Sequence, residues 1–544
     1  MRRWLTLALL AAGPVLVVAV FFVLPVGGMV ARGFVSDGVL DPGGVLQVLA
    51  RPRVARVAWF TVWSAAAATA ISVLLGLPAA FVLHRLALPG RKMIRAALLV
   101  PFVLPTVVVG VAFRLLLGEA GPLGFLGLDG TPVAIVIGLV FFNLAVVIRA
   151  VGAAWESLDA RPAEAAAALG ASPVQVWWTV TLPALRPAIV SAASIVFLFC
   201  ATAFGIVLTL GGVRYATVET EIYLLTTTLF DLQAAAALSV LQLVVVVALL
   251  GLAARLRAVP DATAARTSSR PRRIRSGDVP ALAVTVLVLG LVAAPIVTLV
   301  LGSFRTEAGW SLGNYRALTG VGSNDALLVP VTEALLTSVR TAVDATWMAL
   351  LMGLAVAVLV TRRSQSRSER RVRSLLDGFF MLPLGVSAVT LGFGFLITLD
   401  RPPVDLRDSA LLVPIAQALV ALPLVVRTLV PVLAGIDDRQ RQAAASLGAS
   451  PWRALLTVEL PVVWKPLLAA SGFAFAASLG EFGATSFLAR DDNPTVPIVI
   501  FRLIGHPGEL NFGMALAASV VLAGTTAVVM LAVERLRVPN VGAF

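Results

Sequence analysis

An all-α integral membrane fold, with twelve spanning helices in two homologous six-helix halves, is what this 544-residue sequence predicts. Three observations lead there. Hydrophobic residues make up 59% of the chain and charged ones only 13%, against about 25% charged in soluble domains; mean hydropathy is +0.96. Apolar runs of about 18 residues or more recur, long enough to cross a hydrocarbon core of about 30 Å as helices, and the alternating strand segments of a membrane barrel are missing from the sequence. Finally, the segment Asp159–Pro183, DARPAEAAAALGASPVQVWWTVTLP, returns 278 positions later as Asp437–Pro461, DDRQRQAAASLGASPWRALLTVELP, with 14 of 25 positions identical and no gap.

The first apolar run, Leu5 to about Val30, follows Met1-Arg2-Arg3. It exceeds the 7–15 apolar residues of a signal peptide and reads as a retained span. Further spans are predicted at 57–83, 96–117, 131–154, 186–210 and 235–254. Residues 255–278, RLRAVPDATAARTSSRPRRIRSGD, read as a flexible basic linker on the cytoplasmic side. Spans resume at 280–302, 340–360, 376–398, 409–432, 467–488 and 511–533. The chain therefore divides into a first half, 1–254, and a second, 279–544, with repeated segments 159–187 and 437–466.

The repeat reaches beyond those segments. Gly76 and Arg85 correspond to Gly353 and Arg362, and Phe204-Gly205 to Phe482-Gly483. Six spans per half is an even number, so both halves keep one orientation, with a pseudo-twofold axis along the membrane normal. Placing both termini in the cytoplasm puts roughly two thirds of the Lys and Arg in inner segments, as the positive-inside rule requires. That distribution also accounts for the net charge of +13 without a nucleic-acid partner.

Each repeated segment is polar-flanked and reads as a helix–turn–helix knuckle. Pro162 suits a first helical turn, where its missing N–H costs nothing. Glu164 then faces the positive end of the helix dipole. Gly170 can take the left-handed conformation that closes a helix, and Ser172-Pro173 reads as the cap and first residue of a second short helix. Leu182-Pro183 and Pro187 are expected to end that helix and turn the chain back toward the bilayer.

Glu164-Ala165-Ala166 with Gly170, followed by Leu-Pro at Pro183, resembles the cytoplasmic coupling loop of binding-protein-dependent ABC importer permeases. The resemblance implies a type I importer permease fold, an inner-membrane location, and a short helix that inserts into a cleft of an ATPase subunit. Ala443, Ala444, Gly448 and Pro461 match in the second copy, where Gln442 stands in the Glu position. The two loops are therefore expected to couple unequally.

An ATPase must be a separate chain, a homodimer by the resemblance. The phosphate-binding loop needs Gly-Lys-Ser/Thr, and the two lysines are Lys92, followed by Met, and Lys465, followed by Pro. ATP and magnesium are expected on that partner, with no cofactor and no metal site in this chain. His84 and His506 are isolated and read as interfacial, and Cys200 as a small buried hydrophobe. No catalytic constellation appears, so the chain reads as a transport subunit and not an enzyme.

A proton- or ion-coupled secondary transporter is the rival class, and its relay would need ionisable groups within spans. Asp344 and Glu481 are the candidates. Glu481 stands opposite Ala203 in the repeat, so a carboxylate on one half alone would favour a cation. Yet SLGEFGA also resembles oxyanion permeases, where it would repel the cargo, which makes a structural or gating role the preferred reading. Asn143, Thr202 and Ser478 are further polar candidates along the substrate path, a pattern also typical of helix–helix contacts. External loops 32–56, 211–234 and 303–339, the last with Trp310 and Tyr315, are expected to meet a substrate-binding protein.

A single-chain fusion of two permease halves resembles the thiamine and ferric-iron importers. Phe204–Tyr223, FGIVLTLGGVRYATVETEIY, and Gly480–Phe501, GEFGATSFLARDDNPTVPIVIF, carry that likeness. The implied cargo is thiamine or ferric iron, with an oxyanion or a phosphonate as alternatives.

Overall fold

The computed structural model describes residues 11–36, 39–98, 100–212, 214–256, 272–361, 366–401, 404–406 and 409–536. Most of the predicted linker, 257–271, lies outside them, as does Arg362. The principal helices of the first half are α1 (Ala11–Phe34), α2 (Pro52–Arg85), α3 (Thr106–Leu117), α4 (Pro132–Ser157), α5 (Arg161–Ala168), α6 (Pro173–Ala201), α7 (Val218–Thr227) and α8 (Leu232–Leu256). In the second half they are α9 (Val279–Ser303), α10 (Val331–Thr361), α11 (Arg367–Phe380), α12 (Ala388–Thr398), α13 (Leu412–Ala434), α14 (Asp438–Ser446), α15 (Leu455–Leu479), α16 (Val496–Gly505) and α17 (Glu509–Leu536). Three two-residue hairpins are the only sheets among the described residues.

Ten helices among the described residues are long and apolar enough to cross a membrane, eleven if a bent pair counts as one span. Twelve unbroken spans therefore overstated the count, and two of the predicted ones are broken. Span 96–117 is a helix pair, Met93–Phe102 and Thr106–Leu117, bent by 100°. Pro101 and Pro105 bracket the bend, and a proline inside a helix removes a backbone donor and pushes away a carbonyl. Span 376–398 ends one helix at Phe380, passes a 3₁₀ turn at Leu382–Gly385, and restarts at Ala388, where Ser387 caps Thr390 N–H at 3.0 Å. The 11 residues of α12 rise only about 16 Å at 1.5 Å each.

Two further predicted ends move. Span 186–210 begins earlier, at Pro173, stops at Ala201, and is followed by a separate helix Gly205–Gly211. Span 467–488 runs instead from Leu455 to Leu479 and breaks at Gly480. The expectation that Leu182-Pro183 and Pro187 end a helix is overturned. A five-residue π turn at Trp177–Thr181 leads straight into Leu182–Ala201, with Pro183 in its first turn and Pro187 inside it. Leu182 N–H donates to Trp177 O across the turn. Widening the helix by one residue before a proline is a common way of absorbing its missing donor. The second half repeats the device at Leu455–Glu459, ahead of Pro461 and Pro466.

By packing, the described residues form two units. One holds the chain up to Leu49, Ile222–Leu243 and the chain from Ser303; the other holds Ala50–Glu221 and Val244–Gly302. Packing units and sequence halves are thus different divisions. In the first unit α1 lies against α12 and α13: Val18 and Phe22 are buried with Val356, Phe380, Leu391 and Leu419, and the Phe21 and Phe395 rings are 6.3 Å apart. Each unit also contains one copy of the same tight crossing. Gly76 on α2 admits Val147 of α4, where a Cβ would sit 2.7 Å from Cγ1. Gly353 on α10 admits Val425 of α13, at 2.5 Å. Both pairs obey the sequence repeat.

Candidate functional site

The two repeated loops fold alike. In the first, Leu169 N–H bonds Ala165 O and Ala171 N–H reaches back to Ala166 O at 3.1 Å, with Gly170 at φ +89°. In the second, Leu447 N–H bonds Ala443 O and Ala449 N–H reaches Ala444 O at 3.0 Å, with Gly448 at φ +81°. Both are glycine-closed helix ends that satisfy the last carbonyls. A second short helix follows. Ser172 Oγ accepts from Gln175 N–H at 3.3 Å while Gln175 Oε1 accepts from Ser172 N–H at 2.8 Å, a reciprocal capping box. Ser450 Oγ accepts from Arg453 N–H at 3.3 Å in the same place.

No residue of α5 is buried among the described residues. Leu169 and Leu447, equivalent in the repeat, are each 89% exposed at the tip. Val174 and Trp178 add apolar surface beside the first. Glu164 lies in the first turn of α5, as predicted, within electrostatic reach of Arg85. Ala165 and Ala166 carry the helix to the turn, and Pro183 and Pro461 lie just beyond the π turns. Gln442 sits on the exposed α14.

Beneath the loops the halves part company. Below the first, Trp155 stacks on Trp177 at 5.5 Å and meets Phe81 at 5.4 Å. Glu156 Oε1 accepts from Arg95 Nη2 at 2.8 Å and lies 3.0 Å from His84 Nδ1. Arg272, at the end of the linker, donates its backbone N–H to Arg85 O at 2.9 Å, and its guanidinium grips Asp278 and stacks over Phe81.

Below the second loop the equivalents of His84, Glu156, Trp155 and Trp177 are Thr361, Ala434, Leu433 and Leu455. A cavity of about 600 Å³ opens there, lined by Thr361, Ala434, Ile436 and, from the loop, Asp437, Arg439, Arg441 and Gln442. Arg441 on α14 crosses to Glu459 Oε1 with its Nε at 3.0 Å and donates from Nη2 to Leu433 O at 3.1 Å. One feature is common to both bases. Arg95 Nε donates to Leu83 O at 2.9 Å, and its repeat partner Arg373 donates to Leu359 O at 3.1 Å. Of these base residues, sequence reasoning named Arg85 as part of the repeat, Gln442 as part of the loop, and His84, which it read as interfacial; His84 is buried. The signal was there in the repeat, where Arg441 and Glu459 replace Ala163 and Thr181.

The substrate-path candidates fall two in each unit, Asn143 and Thr202 in one and Ser478 and Glu481 in the other. Asn143 is buried on α4, donating to Leu139 O at 3.0 Å and to Cys200 Sγ at 3.3 Å. Thr202 closes α6, bonding Leu198 O at 2.9 Å. Ser478 is buried in the last turn of α15. Glu481, in the break that follows, has its carboxylate taken up locally. It accepts from Ala484 N–H at 2.7 Å, from Thr485 N–H at 2.9 Å and from the Thr485 hydroxyl. These bonds organise the chain reversal after α15. Asp344 accepts from the Trp347 indole at 3.2 Å. On the predicted external side, Trp310 is 70% exposed on the hairpin Arg305–Trp310. Tyr315 is structural: its hydroxyl lies 2.7 Å from Ser303 Oγ and its ring packs on Phe304.

Ten or eleven apolar helices long enough to cross a membrane among the described residues, with two matched exposed knuckles, fit a membrane transport permease. Comparison with known proteins gives the family. The model of the binding-protein-dependent transport system inner membrane component matches twice, at residues 72–258 and 349–537. The chain belongs to that family, a multi-pass inner-membrane transport subunit whose partners are an ATPase and a substrate-binding protein. It is similar to the thiamine transport system permease protein of Brucella abortus (strain 2308), 28% identical over 83% of this chain and 82% of that protein. Its counterpart in Escherichia coli (strain K12) is 28% identical over 82% and 83%. The molybdenum transport system permease protein of Mycobacterium bovis is 40% identical, but over 36% of this chain and 77% of its own length.

Proposed function

We propose that this chain is the translocation subunit of an ATP-driven importer that moves thiamine into the cytoplasm. The observation that carries the cargo is the similarity to thiamine permeases along more than four fifths of the chain, through both halves. The halves are 1–254 and 279–544, joined by the basic linker 255–278, with twelve membrane passages, two of them made by broken helices, in a type I arrangement. Both termini and both loops face the cytoplasm, supported by the bias of Lys and Arg toward inner segments.

A homodimeric ATPase, carrying ATP and magnesium, engages the two knuckles. Leu169 and Leu447 give the apolar grip, and Glu164 faces the ATPase on one side where Gln442 does on the other. Gly170 and Gly448 supply the turns. A loaded binding protein docks outside, ATP binding draws the loops together, and cargo enters a path past Asn143, Thr202 and Ser478. Glu481 holds the reversal after α15 in shape and does not contact cargo. Hydrolysis then resets the path.

The test is uptake of labelled thiamine and of labelled ferric iron by cells with and without the gene, before and after ATP depletion. Loss of ATP-dependent thiamine uptake alone is the expected result. Loss of iron uptake alone would move the cargo to ferric iron, and uptake that survives ATP depletion would overturn the class. A second reading, an oxyanion as cargo, is favoured by the higher identity to the molybdenum permease; labelled molybdate belongs in the same experiment.

A further inference from the structure

The second coupling loop is tied to its helix bundle in a way the first is not. Arg441 projects from α14 and makes two contacts with separate helices, to Glu459 at the end of the π turn and to the Leu433 carbonyl in the last turn of α13. Glu459 is buried, and the Arg441 side chain is only 15% exposed. On the loop side a cavity of about 600 Å³ lies against the same arginine. The first half has no counterpart: the aligned residues are Ala163 and Thr181. Most of its polar and aromatic contacts join the flanking helices to one another, through Trp155–Trp177 and His84–Glu156–Arg95; α5 buries nothing, and Glu164 lies within electrostatic reach of Arg85 on α2.

We infer that Arg441 and Glu459 form a strut that makes the second coupling helix move as one body with α13 and α15, and that this strut is a positioning element of transport. It rests on the transport reading above. An ion pair whose carboxylate is buried is electrostatically stronger than one at the surface and geometrically specific. A load applied to the tip at Leu447 is thereby carried to two membrane helices at once. Without the strut, α14 loses this tie to both helices, so a push at the tip bends the loop before it moves the bundle. The first loop needs no strut because the bundle below it is filled.

Two measurements test this. The first uses the purified chain alone and asks for amide hydrogen exchange in α14 and α5. Arg441→Ala and Glu459→Gln should each speed exchange across Asp438–Ser446 and leave Arg161–Ala168 unchanged. The charge swap Arg441→Glu with Glu459→Arg should slow it again. The second uses the complete transporter and asks how much solute moves per ATP hydrolysed. The single variants should lower that ratio by about fivefold or more, within the usual range of coupling between distant sites, with the ATPase still bound, and the swap should recover it. Unchanged exchange in α14 overturns the strut. Normal solute per ATP with faster exchange overturns its role in transport. Loss of the assembled complex in both single variants would make the pair a folding element and overturn it too. Failure of the transport reading would show separately, as wild-type protein that moves no solute on ATP while the exchange differences persist.

Discussion

The two coupling loops are nearly the same at the tip and different at the root. At the tip, a glycine with positive φ, an alanine helix and a leucine 89% exposed recur at matched positions. At the root, stacked tryptophans and a His–Glu–Arg cluster fill the first half, where the second has Thr, Ala and Leu, a cavity and the ion pairs Arg441–Glu459 and Arg373–Glu369. In the proposed transporter the tip is what the ATPase touches, and a homodimeric ATPase would present the same cleft twice. The root is seen only by this chain, so each half could solve the packing problem in its own way. Fusion into one polypeptide permits that divergence, because each copy needs to fit only its own neighbours.

The largest effect belongs to Gly170→Arg. A side chain at φ +89° costs about 1–2 kcal/mol in backbone strain, and the arginine stands in the docking face. ATPase association, followed by co-purification, should be lost while the chain stays inserted in the membrane; normal association and uptake would sink the coupling assignment. Trp155→Ala comes next. Emptying the stacked root of the first half should cost about 3–5 kcal/mol, the usual range for a buried large aromatic. It is read as a lower thermal midpoint in detergent, whereas Leu433→Ala at the matched position, a smaller buried side chain, should cost less. Equal losses would mean the two roots are packed alike.

Leu169→Asp and Leu447→Asp probe the matched tips. Each should weaken ATPase binding by about 2 kcal/mol, the scale of an interface hot spot, or roughly 30-fold in affinity, with unfolding unchanged. A large effect at one tip only would show that the partner reads the halves differently. Smallest is Ser172→Ala. Removing a helix cap costs about 1 kcal/mol, so a modest drop in α6 start stability by hydrogen exchange is expected, matched by Ser450→Ala in the second half.

Much of the tip was legible in the sequence. Gly170, Ser172 and Pro173 are punctuation with a local mechanism, and the structure puts each in the predicted role. The membrane spans were legible as apolar runs but not as unbroken helices. Hydropathy does not register the bend between Pro101 and Pro105 or the restart at Ser387, because the residues around them stay apolar. Pro183 misled in the opposite direction: a proline was read as a stop, and a π turn let the helix continue through it. Packing of α1 against α12, more than 350 residues away in the chain, leaves no mark that one sequence could show. The Arg441–Glu459 pair lay between these extremes. Each residue alone looks like surface charge on a polar loop, and only the break in the repeat at both positions marks them as partners.

The most direct test of the central claim is reconstitution of the chain with its ATPase and loaded binding protein in proteoliposomes. The account predicts thiamine accumulation that needs ATP and binding protein together and disappears in Gly170→Arg through loss of the bound ATPase. Accumulation driven by a proton gradient with the ATPase left out would contradict it.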